Sequence, residues 1–347
     1  MSIGARITGV GRYVPDRILA NAELEQMVET SDDWIVERTG IHERRIAAPD
    51  ETSSTMGARA ALAAIESACI DPSSIDLVIV ATCTPDGMFP ATASRIQHAV
   101  GATRAAAFDV NAACNGFISA ISTAAQFIGA GTAERALVVG AETMSRIVDW
   151  TDRGTCILFG DGAGAVILER SAVGEPGRVE TALMRSDGSQ AGVLWASGPC
   201  TPGTEGAEAL RQEAHIVMDG RAVFRFAVNA MVEICGEAIE RAGLTIDDIA
   251  LCVPHQANER ILSAVADRLH LPIDRMYMNI DRYGNTSSAT IPIALAEAEA
   301  EGRLQPGDHV LFTAVGGGLS WGAMVLEWSG VRASLAAQGA AAATVRA

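Results

Sequence analysis

Cys114, His255 and Asn285 each place a chemically useful side chain between a predicted strand and a predicted helix. A thiol at a helix start, as in NAACNGF, lies near backbone N–H groups that favour the thiolate nucleophile. A neutral imidazole at the strand end of His255 could donate a hydrogen bond to a developing oxyanion. Each residue alone also has a structural interpretation, and Asn285 in RYGNTSSA is an ordinary helix N-cap. Their shared position at strand-to-helix junctions predicts one active site with a cysteine nucleophile.

A glycine loop at residues 316–318, in AVGGGLSWGA, follows a predicted strand. Glycine lets the backbone approach a ligand closely, so the N–H groups of this loop could form half of an oxyanion hole. Neither this loop nor GDGAG has the G-x-G-x-x-G pattern at a strand–helix junction, so nucleotide-cofactor binding is not indicated.

The cysteine count of seven is odd, and no pair has C-x-x-C spacing. The sequence therefore predicts neither a disulfide framework nor a zinc site, and no metal is expected. Two cysteines lie in or near loops, and four lie in helix or strand patterns where we expect small buried residues. The loop pair is Cys83 and Cys200; the helix pair is Cys69 and Cys235; the strand pair is Cys156 and Cys252.

The elements that must position these residues follow a repeated order. Predominantly apolar, β-branched runs at 75–82 and 136–141 predict strands covered on both faces, with a buried helix at 114–130 between them. The order recurs as a strand at 246–254, a helix at 287–301 and a strand at 310–314. The alternation indicates an α/β fold, and the repeat predicts a duplicated strand–helix–strand module with one shared cleft.

Four further segments complete the prediction. Residues 156–169 (CILF–GDGAG–AVILE) resemble a hairpin, and 171–215 should form strands and loops that link the halves. Residues 215–242 have the spacing of a long amphipathic helix. The alanine-rich tail after Gly330 should be frayed. We expect an N-terminal half at 1–172 that carries the nucleophile, a C-terminal half at 173–329 that carries His255 and Asn285, and a flexible tail at 330–347.

The amino-acid composition excludes several classes of function. The formal net charge is −16, which argues against nucleic acid and anionic membrane surfaces as partners. All 26 basic residues are arginine, so lysine Schiff-base chemistry and a P-loop lysine are excluded. There is no signal-peptide pattern and no apolar run of membrane-spanning length, so a cytoplasmic, reducing location is expected.

Six motifs in order, across about residues 3–328, resemble the signatures of the β-ketoacyl-acyl-carrier-protein synthase III family. They are SDDWIVERTGI, NAACNGF, TDRGT with FGDGAGAV, PHQAN, RYGNTSSA and GGGLSWGA. The resemblance implies a thiolase-like fold with layers in the order α-β-α-β-α. It also implies a homodimer that condenses an acyl-coenzyme A primer with malonyl-acyl carrier protein, needing no metal or redox cofactor.

The resemblance assigns roles residue by residue. It implies that Cys114 is acylated, that the N–H groups of Cys114 and Gly317 hold the oxyanion, and that His255 and Asn285 promote decarboxylation. Three groups of residues are implied to bind substrates. Trp34, Arg38 and Arg153 resemble coenzyme A contacts; Phe89 resembles a residue that lines the partner subunit's acyl channel; Arg225, Arg260 and Arg268 resemble the carrier-protein docking patch.

Two departures from the common family pattern stand out. Asn115 follows the nucleophile, which puts the substrate range in doubt, and the docking lysines are arginines, which keep the charge. The competing hypotheses are a secondary-metabolism relative with an unusual acyl substrate and a non-catalytic thiolase-fold binding protein. A papain-like protease would share the order Cys, His, Asn, but its characteristic nucleophile segment, signal peptide and disulfides are missing.

Overall fold

The computed structural model describes residues 4–172, 175, 177–197 and 215–331. Two sheets organise the chain. The first contains, in spatial order, β1 (Gly4–Tyr13), β7 (Asp161–Ser171), β6 (Arg135–Thr143), β4 (Leu77–Ala81) and β5 (Ala106–Val110). The second contains β11 (Ile249–Pro254), β12 (His309–Gly316), β13 (Ser320–Glu327) and β8 (Val179–Ser186).

The two sheets have matching topologies. In the first, β4 is parallel to β6 while β7 is antiparallel to both β6 and β1. In the second, β11 is parallel to β12 while β13 is antiparallel to both β12 and β8. A parallel bridge between Cys252 and Met276 occupies the place that β5 has beside β4. The predicted α/β fold with duplicated modules is confirmed.

Helices form three layers around these sheets. Outside the first sheet lie α3 (Ser53–Ala68) and α4 (Thr92–Val100). Between the sheets lie α5 (Gly116–Gly129) and α9 (Thr290–Ala300). Outside the second sheet lie α6 (Gly220–Arg241) and α7 (Glu259–Leu269). Because α5 is covered by a sheet on either side, its sequence GFISAISTAAQFIG is small and uncharged.

The remaining elements are short, and most of them pack on a separate apolar cluster beside the cleft. They are β2 (Arg17–Ala20), α1 (Asn21–Leu24), α2 (Asp32–Thr39), β3 (Glu43–Ile46), β9 (Leu194–Ala196), β10 (Ile216–Met218) and α8 (Ile280–Tyr283).

The predicted hairpin at 156–169 is wrong, because residues from Asp161 onward form the single strand β7. The glycines of GDGAG are close-packing positions rather than turn positions. A Cβ on Gly164 would lie 2.7 Å from the backbone nitrogen of Ile293 in α9, and one on Gly162 would lie 2.9 Å from the Ile293 side chain. Glycine is needed here so that a helix can lie against the strand.

Three other predictions need correction. The long helix begins at Gly220 rather than 215, because the Asp219 side chain accepts hydrogen bonds from two amides of its first turn and 216–218 pairs with β9. Cys69 is exposed at the C-cap of α3 with φ 53°, and Cys156 lies in a turn rather than a strand. Cys200 and the tail beyond residue 331 lie outside the described residues, and the domain boundaries stay a prediction.

Candidate active site

A cavity of about 230 Å³ between the two halves is lined by Cys114, His255, Asn285 and Gly317. The structure thus brings together the four residues predicted for the chemistry. Cys114 lies in a 3-10 turn (Ala113–Asn115) that leads into α5, and Asn285 comes just before the equivalent turn (Ser287–Ala289) that leads into α9. The equivalent helices α5 and α9 therefore place the Cys114 thiol and the Asn285 amide in the same cavity.

The backbone around Cys114 is unusual. Ala113, directly before it, has φ 46°, a left-handed conformation that non-glycine residues rarely adopt. The Gly316 backbone lies so close that a Cβ there would be 2.7 Å from the Cys114 nitrogen. The Cys114 N–H is also one of the amides at a helix start that have no carbonyl within the helix. This arrangement fits an oxyanion hole formed by the amides of Cys114 and the neighbouring Gly317.

The predicted preference of Cys114 for the thiolate is outweighed by burial. Burial, with the side chain 7% exposed, is the main cause that raises the pKa of the Cys114 thiol to about 12, and the nearby Glu142 carboxylate contributes to the rise. A hydrogen bond from the Ser287 hydroxyl opposes this shift. In this cavity burial outweighs the helix start, so the resting residue is a thiol. Its attack on a substrate needs a group that takes the proton.

Asn285 is fixed as a hydrogen-bond donor toward the cavity. Its side-chain Oδ1 accepts a hydrogen bond of 2.8 Å from the Ser287 backbone N–H, which leaves the Nδ2 amide to donate elsewhere. Its backbone is held from both sides: Asn285 N–H donates to Leu158 O (2.8 Å), and Gly160 N–H donates to Asn285 O (3.1 Å). Residues 158–160, just before β7, therefore hold the backbone of Asn285 in place.

His255 is 2% exposed, and its backbone N–H donates to Thr313 O at 2.8 Å. Burial lowers the pKa of its imidazole to about 3, partly opposed by the Ser287 carbonyl. The ring is therefore neutral near pH 7, as predicted for a hydrogen-bonding role. Its Nδ1 lies 2.7 Å from Thr290 Oγ1.

Sequence reasoning missed the buried carboxylate of Glu142, which is 0% exposed. Glu142 accepts hydrogen bonds from Thr84 Oγ1 (2.5 Å), the Cys83 amide (3.1 Å) and Ser288 Oγ (2.8 Å). It thereby links the loop after β4 to the loop that carries Asn285. The sequence does contain a signal for this residue, because Glu142 directly follows the apolar run ALVVGA. A charge at the end of a buried strand needs hydrogen-bond partners, which indicates a polar site there.

Trp34, Arg38 and Arg153 converge at one surface beside the cavity. The guanidinium carbons of Arg38 and Arg153 lie 4.4 Å and 4.8 Å from the centre of the Trp34 ring. The Arg38 carbonyl accepts a 2.8 Å hydrogen bond from Asn258 Nδ2, and Asn258 lines the cavity. A flat aromatic ring flanked by two cations suits a nucleotide that carries phosphates.

The three predicted docking arginines are all exposed, on α6 and α7. Arg260 lies 5.9 Å from the ring of Phe224, which lines the cavity, and Arg225 is the next residue along α6. Arg268 instead bonds Asn229 at 2.7 Å, two helical turns beyond Arg260. Arg260 therefore lies beside the cavity, Arg225 follows a cavity-lining residue in the chain, and Arg268 lies farther along α7.

Phe89 is 85% exposed, and it is not among the residues that line the cavity of its own chain. Its side chain is therefore accessible to another molecule. Asn115 is 2% exposed and its Oδ1 lies against Gly322, so the departure after the nucleophile does not line the cavity either. Within the described part of the chain, no group of three His, Cys, Asp or Glu side chains could hold a metal ion. No helix there is long and apolar enough to cross a membrane.

Comparison with known proteins agrees with this site. Residues 108–188 match the family model for 3-oxoacyl-[acyl-carrier-protein (ACP)] synthase III, and residues 239–328 match the model for its C-terminal part. The β-ketoacyl-[acyl-carrier-protein] synthase III of Roseiflexus castenholzii is 49% identical, over 94% of this chain and 98% of that protein.

Two solved structures extend the comparison. The 3-oxoacyl-[acyl-carrier-protein] synthase III of Aquifex aeolicus is 45% identical with a TM-score of 0.88, covering 94% of this chain and 100% of that one. The priming β-ketosynthase of the R1128 polyketide pathway is 38% identical with a TM-score of 0.89, covering 95% and 97%. The higher identity to the synthases does not favour the secondary-metabolism alternative. The chain belongs to the β-ketoacyl-[acyl-carrier-protein] synthase III family of condensing acyltransferases with the thiolase-like fold.

Proposed function

We propose that the chain condenses a short acyl-coenzyme A primer, such as acetyl-coenzyme A, with malonyl-acyl carrier protein, giving the 3-oxoacyl-acyl carrier protein that starts fatty-acid synthesis. The observation that carries the proposal is the single cavity in which Cys114, His255 and Asn285 meet beside Gly317. The thioester substrates supply the reactive groups, so the reaction needs no further cofactor. The location is cytoplasmic.

In the first half-reaction the Cys114 sulfur attacks the carbonyl carbon of the primer. The oxyanion is held by the N–H groups of Cys114 and Gly317, and stabilisation of this kind contributes about 10²–10³ in rate per donor. The carbon–sulfur bond to coenzyme A then breaks, and the proton lost by the Cys114 thiol leaves with coenzyme A. The product is an acyl-cysteine.

In the second half-reaction Asn285 and His255 donate hydrogen bonds to the thioester oxygen of the malonyl group. The bond to the carboxylate breaks, carbon dioxide leaves, and the electron pair remains as an enolate. The enolate carbon attacks the acyl-cysteine, and the bond between the acyl carbon and sulfur breaks. The Cys114 thiolate takes up one proton, which returns the enzyme to its resting state.

The surface around the cavity supports the choice of substrates. Trp34 with its two flanking arginines would hold the nucleotide of coenzyme A. Arg225 and Arg260 form no salt bridge within the described residues, although the chain carries a net charge of −16. Local positive charge of this kind is needed if an acidic carrier protein is to dock on an acidic enzyme.

We also propose a homodimer. Strand β5 forms an edge of the first sheet, with backbone groups available for pairing with another chain. Near it, Phe127 is 37% exposed, and the loop residues Met88 and Phe89 are 68% and 85% exposed. Apolar side chains of this size on a free surface favour a partner, and Phe89 would then line the partner's acyl channel.

The proposal is tested by incubating the protein with malonyl-acyl carrier protein and a panel of acyl-coenzyme A primers, with products identified by mass. We expect a 3-oxoacyl-acyl carrier protein two carbons longer than the preferred primer, and one carbon dioxide released per product. The Cys114→Ala variant should form none. Acylation of Cys114 without any condensation product for any primer would contradict the proposal and favour acyl transfer to another acceptor.

A further inference from the structure

Ser287 lines the cavity among the residues that react. It is 1% exposed, and the turn that it begins packs against the turn that carries Cys114. Its backbone N–H donates to Asn285 Oδ1, and its carbonyl accepts from Thr290 Oγ1, so both backbone groups hold neighbouring side chains in place. The hydroxyl group of Ser287 faces sulfur atoms instead.

The hydrogen of this hydroxyl can be placed from its neighbours. Ser287 Oγ lies 3.6 Å from Cys83 Sγ, and it also hydrogen-bonds the Cys114 sulfur. Cys83 Sγ lies 3.4 Å from a carboxylate oxygen of Glu142, which can only accept and is the strongest acceptor near that thiol. The single thiol hydrogen of Cys83 therefore points to Glu142, and the contact between Cys83 and Ser287 uses the hydroxyl hydrogen of Ser287.

The strength of a hydrogen bond to sulfur depends on the charge of the sulfur. A thiol is a weak acceptor, whereas a charged acceptor forms a shorter bond that is roughly twice as strong. The Ser287 hydrogen is thus held weakly while Cys114 is a thiol, and it is attracted to Cys114 once negative charge develops there. Because both sulfur atoms lie beside the same Oγ, this change requires only rotation of the hydroxyl. An interaction that strengthens as charge develops lowers the reaction barrier.

We propose that Ser287 is a further catalytic residue, whose hydroxyl donates a hydrogen bond to the Cys114 sulfur whenever that sulfur carries negative charge. Charge develops there when the thiol attacks the primer, and again when the bond between the acyl carbon and sulfur breaks in the second half-reaction. The hydroxyl keeps its proton in both steps, so the proton lost by Cys114 still leaves with coenzyme A. These steps rest on the proposed function, but the effect on Cys114 reactivity exists without substrate.

The backbone of Ser287 permits substitutions that remove only the hydroxyl. Its φ of 50° is left-handed, and Ala113, which begins the equivalent turn before α5, has φ 46°. Alanine thus already adopts this conformation in the other half, so Ser287→Ala should fold and keep the backbone hydrogen bond to Asn285. Ser287→Gly is a second variant, because glycine adopts left-handed backbone without steric cost.

Ser122→Ala is the matched control for loss of a buried hydroxyl. Ser122 lies on α5, the helix that follows Cys114, and it is 6% exposed. Its hydroxyl has no hydrogen-bond partner among the residues that the structure describes. Its removal should therefore leave the reactivity of Cys114 unchanged.

The first measurement is alkylation of Cys114 by iodoacetamide between pH 7 and 10, with peptide mapping so that Cys83 is counted separately. We expect both Ser287 variants to alkylate about 10-fold more slowly than the native protein at pH 8, because a thiolate without this hydrogen bond forms about 10-fold less often. Unchanged pH profiles in the Ser287 variants, or equal slowing in Ser122→Ala, would overturn the proposal.

The second measurement is single-turnover acylation of Cys114 by acetyl-coenzyme A, which the Ser287 variants should also slow by about 10-fold. Slower alkylation with an unchanged acylation rate would overturn the catalytic role. Alkylation needs no substrate of the proposed reaction. A native protein that transfers no acyl group would therefore refute the proposed function and leave the alkylation test of Ser287 intact.

Discussion

The substitution Gly316→Ala should damage the nucleophile without touching any reactive side chain. Gly316 ends β12 and pairs with Ser320, and its φ is not in the left-handed region, so alanine meets no backbone strain there. The difficulty is space. The new Cβ would lie 2.7 Å from the Cys114 nitrogen, 2.9 Å from Ala112 O and 3.0 Å from the Asn115 nitrogen. All three neighbours are backbone atoms, so none can rotate away.

The size of the effect follows from these distances. Real Cβ contacts almost never fall below 3.0 Å and ordinary ones begin at 3.4 Å, so the Cys114 amide, at 2.7 Å, must move by about 0.3–0.7 Å. A displacement near 1 Å in an active site can cost about 10²-fold, and loss of one oxyanion donor costs about 10²–10³-fold. We therefore expect kcat/KM for Cys114 acylation to fall about 10-fold to 100-fold, or about 1.4–2.8 kcal/mol of transition-state stabilisation.

The assay is rapid-quench acylation by acetyl-coenzyme A with intact-mass detection, beside urea unfolding of the same samples. Gly236→Ala is the matched control, because that glycine lies inside α6 and has no atom within 4 Å of a new Cβ. The control should keep full acylation and gain about 0.5–1 kcal/mol of unfolding free energy, since alanine favours helices. A folded Gly316→Ala protein that acylates at the native rate would refute the proposed oxyanion hole.

Three further results are expected. Asn285→Ala should lower carbon dioxide release from malonyl-acyl carrier protein by about 10²–10³-fold while primer acylation changes by less than about threefold; equal losses in both steps would contradict the assigned role. Burial lowers the pKa of His255 to about 3 in the folded protein. In the unfolded chain the same imidazole is protonated below about pH 6.5, whereas in the folded chain it stays neutral. The free energy of unfolding should therefore fall as pH falls from 7 to 5, by about 2 kcal/mol more in the native protein than in His255→Gln, measured by urea titration; parallel pH dependences would show that His255 is not held neutral. Arg225→Glu should raise the KM for malonyl-acyl carrier protein and leave acetyl-coenzyme A acylation unchanged, with a penalty that shrinks as salt is added. A raised KM for acetyl-coenzyme A with unchanged use of the carrier protein would instead move Arg225 to the nucleotide site.

The placement of Cys114, His255 and Asn285 could be predicted because each lies at a strand-to-helix junction. Such a junction is marked by the residues immediately around it in the sequence. The predicted strands and buried helices rest on β-branched and small-residue runs, which report burial directly. Asp219 shows where this reasoning fails, since a single capping carboxylate moves the start of α6 to Gly220. The glycines around Gly164 predict a turn from the local sequence alone, because the residue that requires glycine there, Ile293, is distant in sequence.

The electrostatics of the site could not be read from the sequence. The Cys114 motif indicates a helix start, but the degree of burial and the Glu142 carboxylate that raise its pKa come from the tertiary structure. The contacts of Thr290 and Ser287 with His255 likewise come from the tertiary structure. Thr290 follows His255 by 35 residues in the sequence, so no local pattern indicates that the two side chains meet. Ser287 also has φ 50°, a conformation that its residue type does not suggest.

The measurement that tests the central claim most directly is the location and fate of the acyl group. The protein is incubated with acetyl-coenzyme A, digested and mapped by mass, and a parallel sample is chased with malonyl-acyl carrier protein. We expect one acetyl group, on Cys114 alone of the seven cysteines, and its transfer into 3-oxobutanoyl-acyl carrier protein during the chase. An acetyl group on Cys83 or Cys200, or one on Cys114 that malonyl-acyl carrier protein does not remove, would contradict the account.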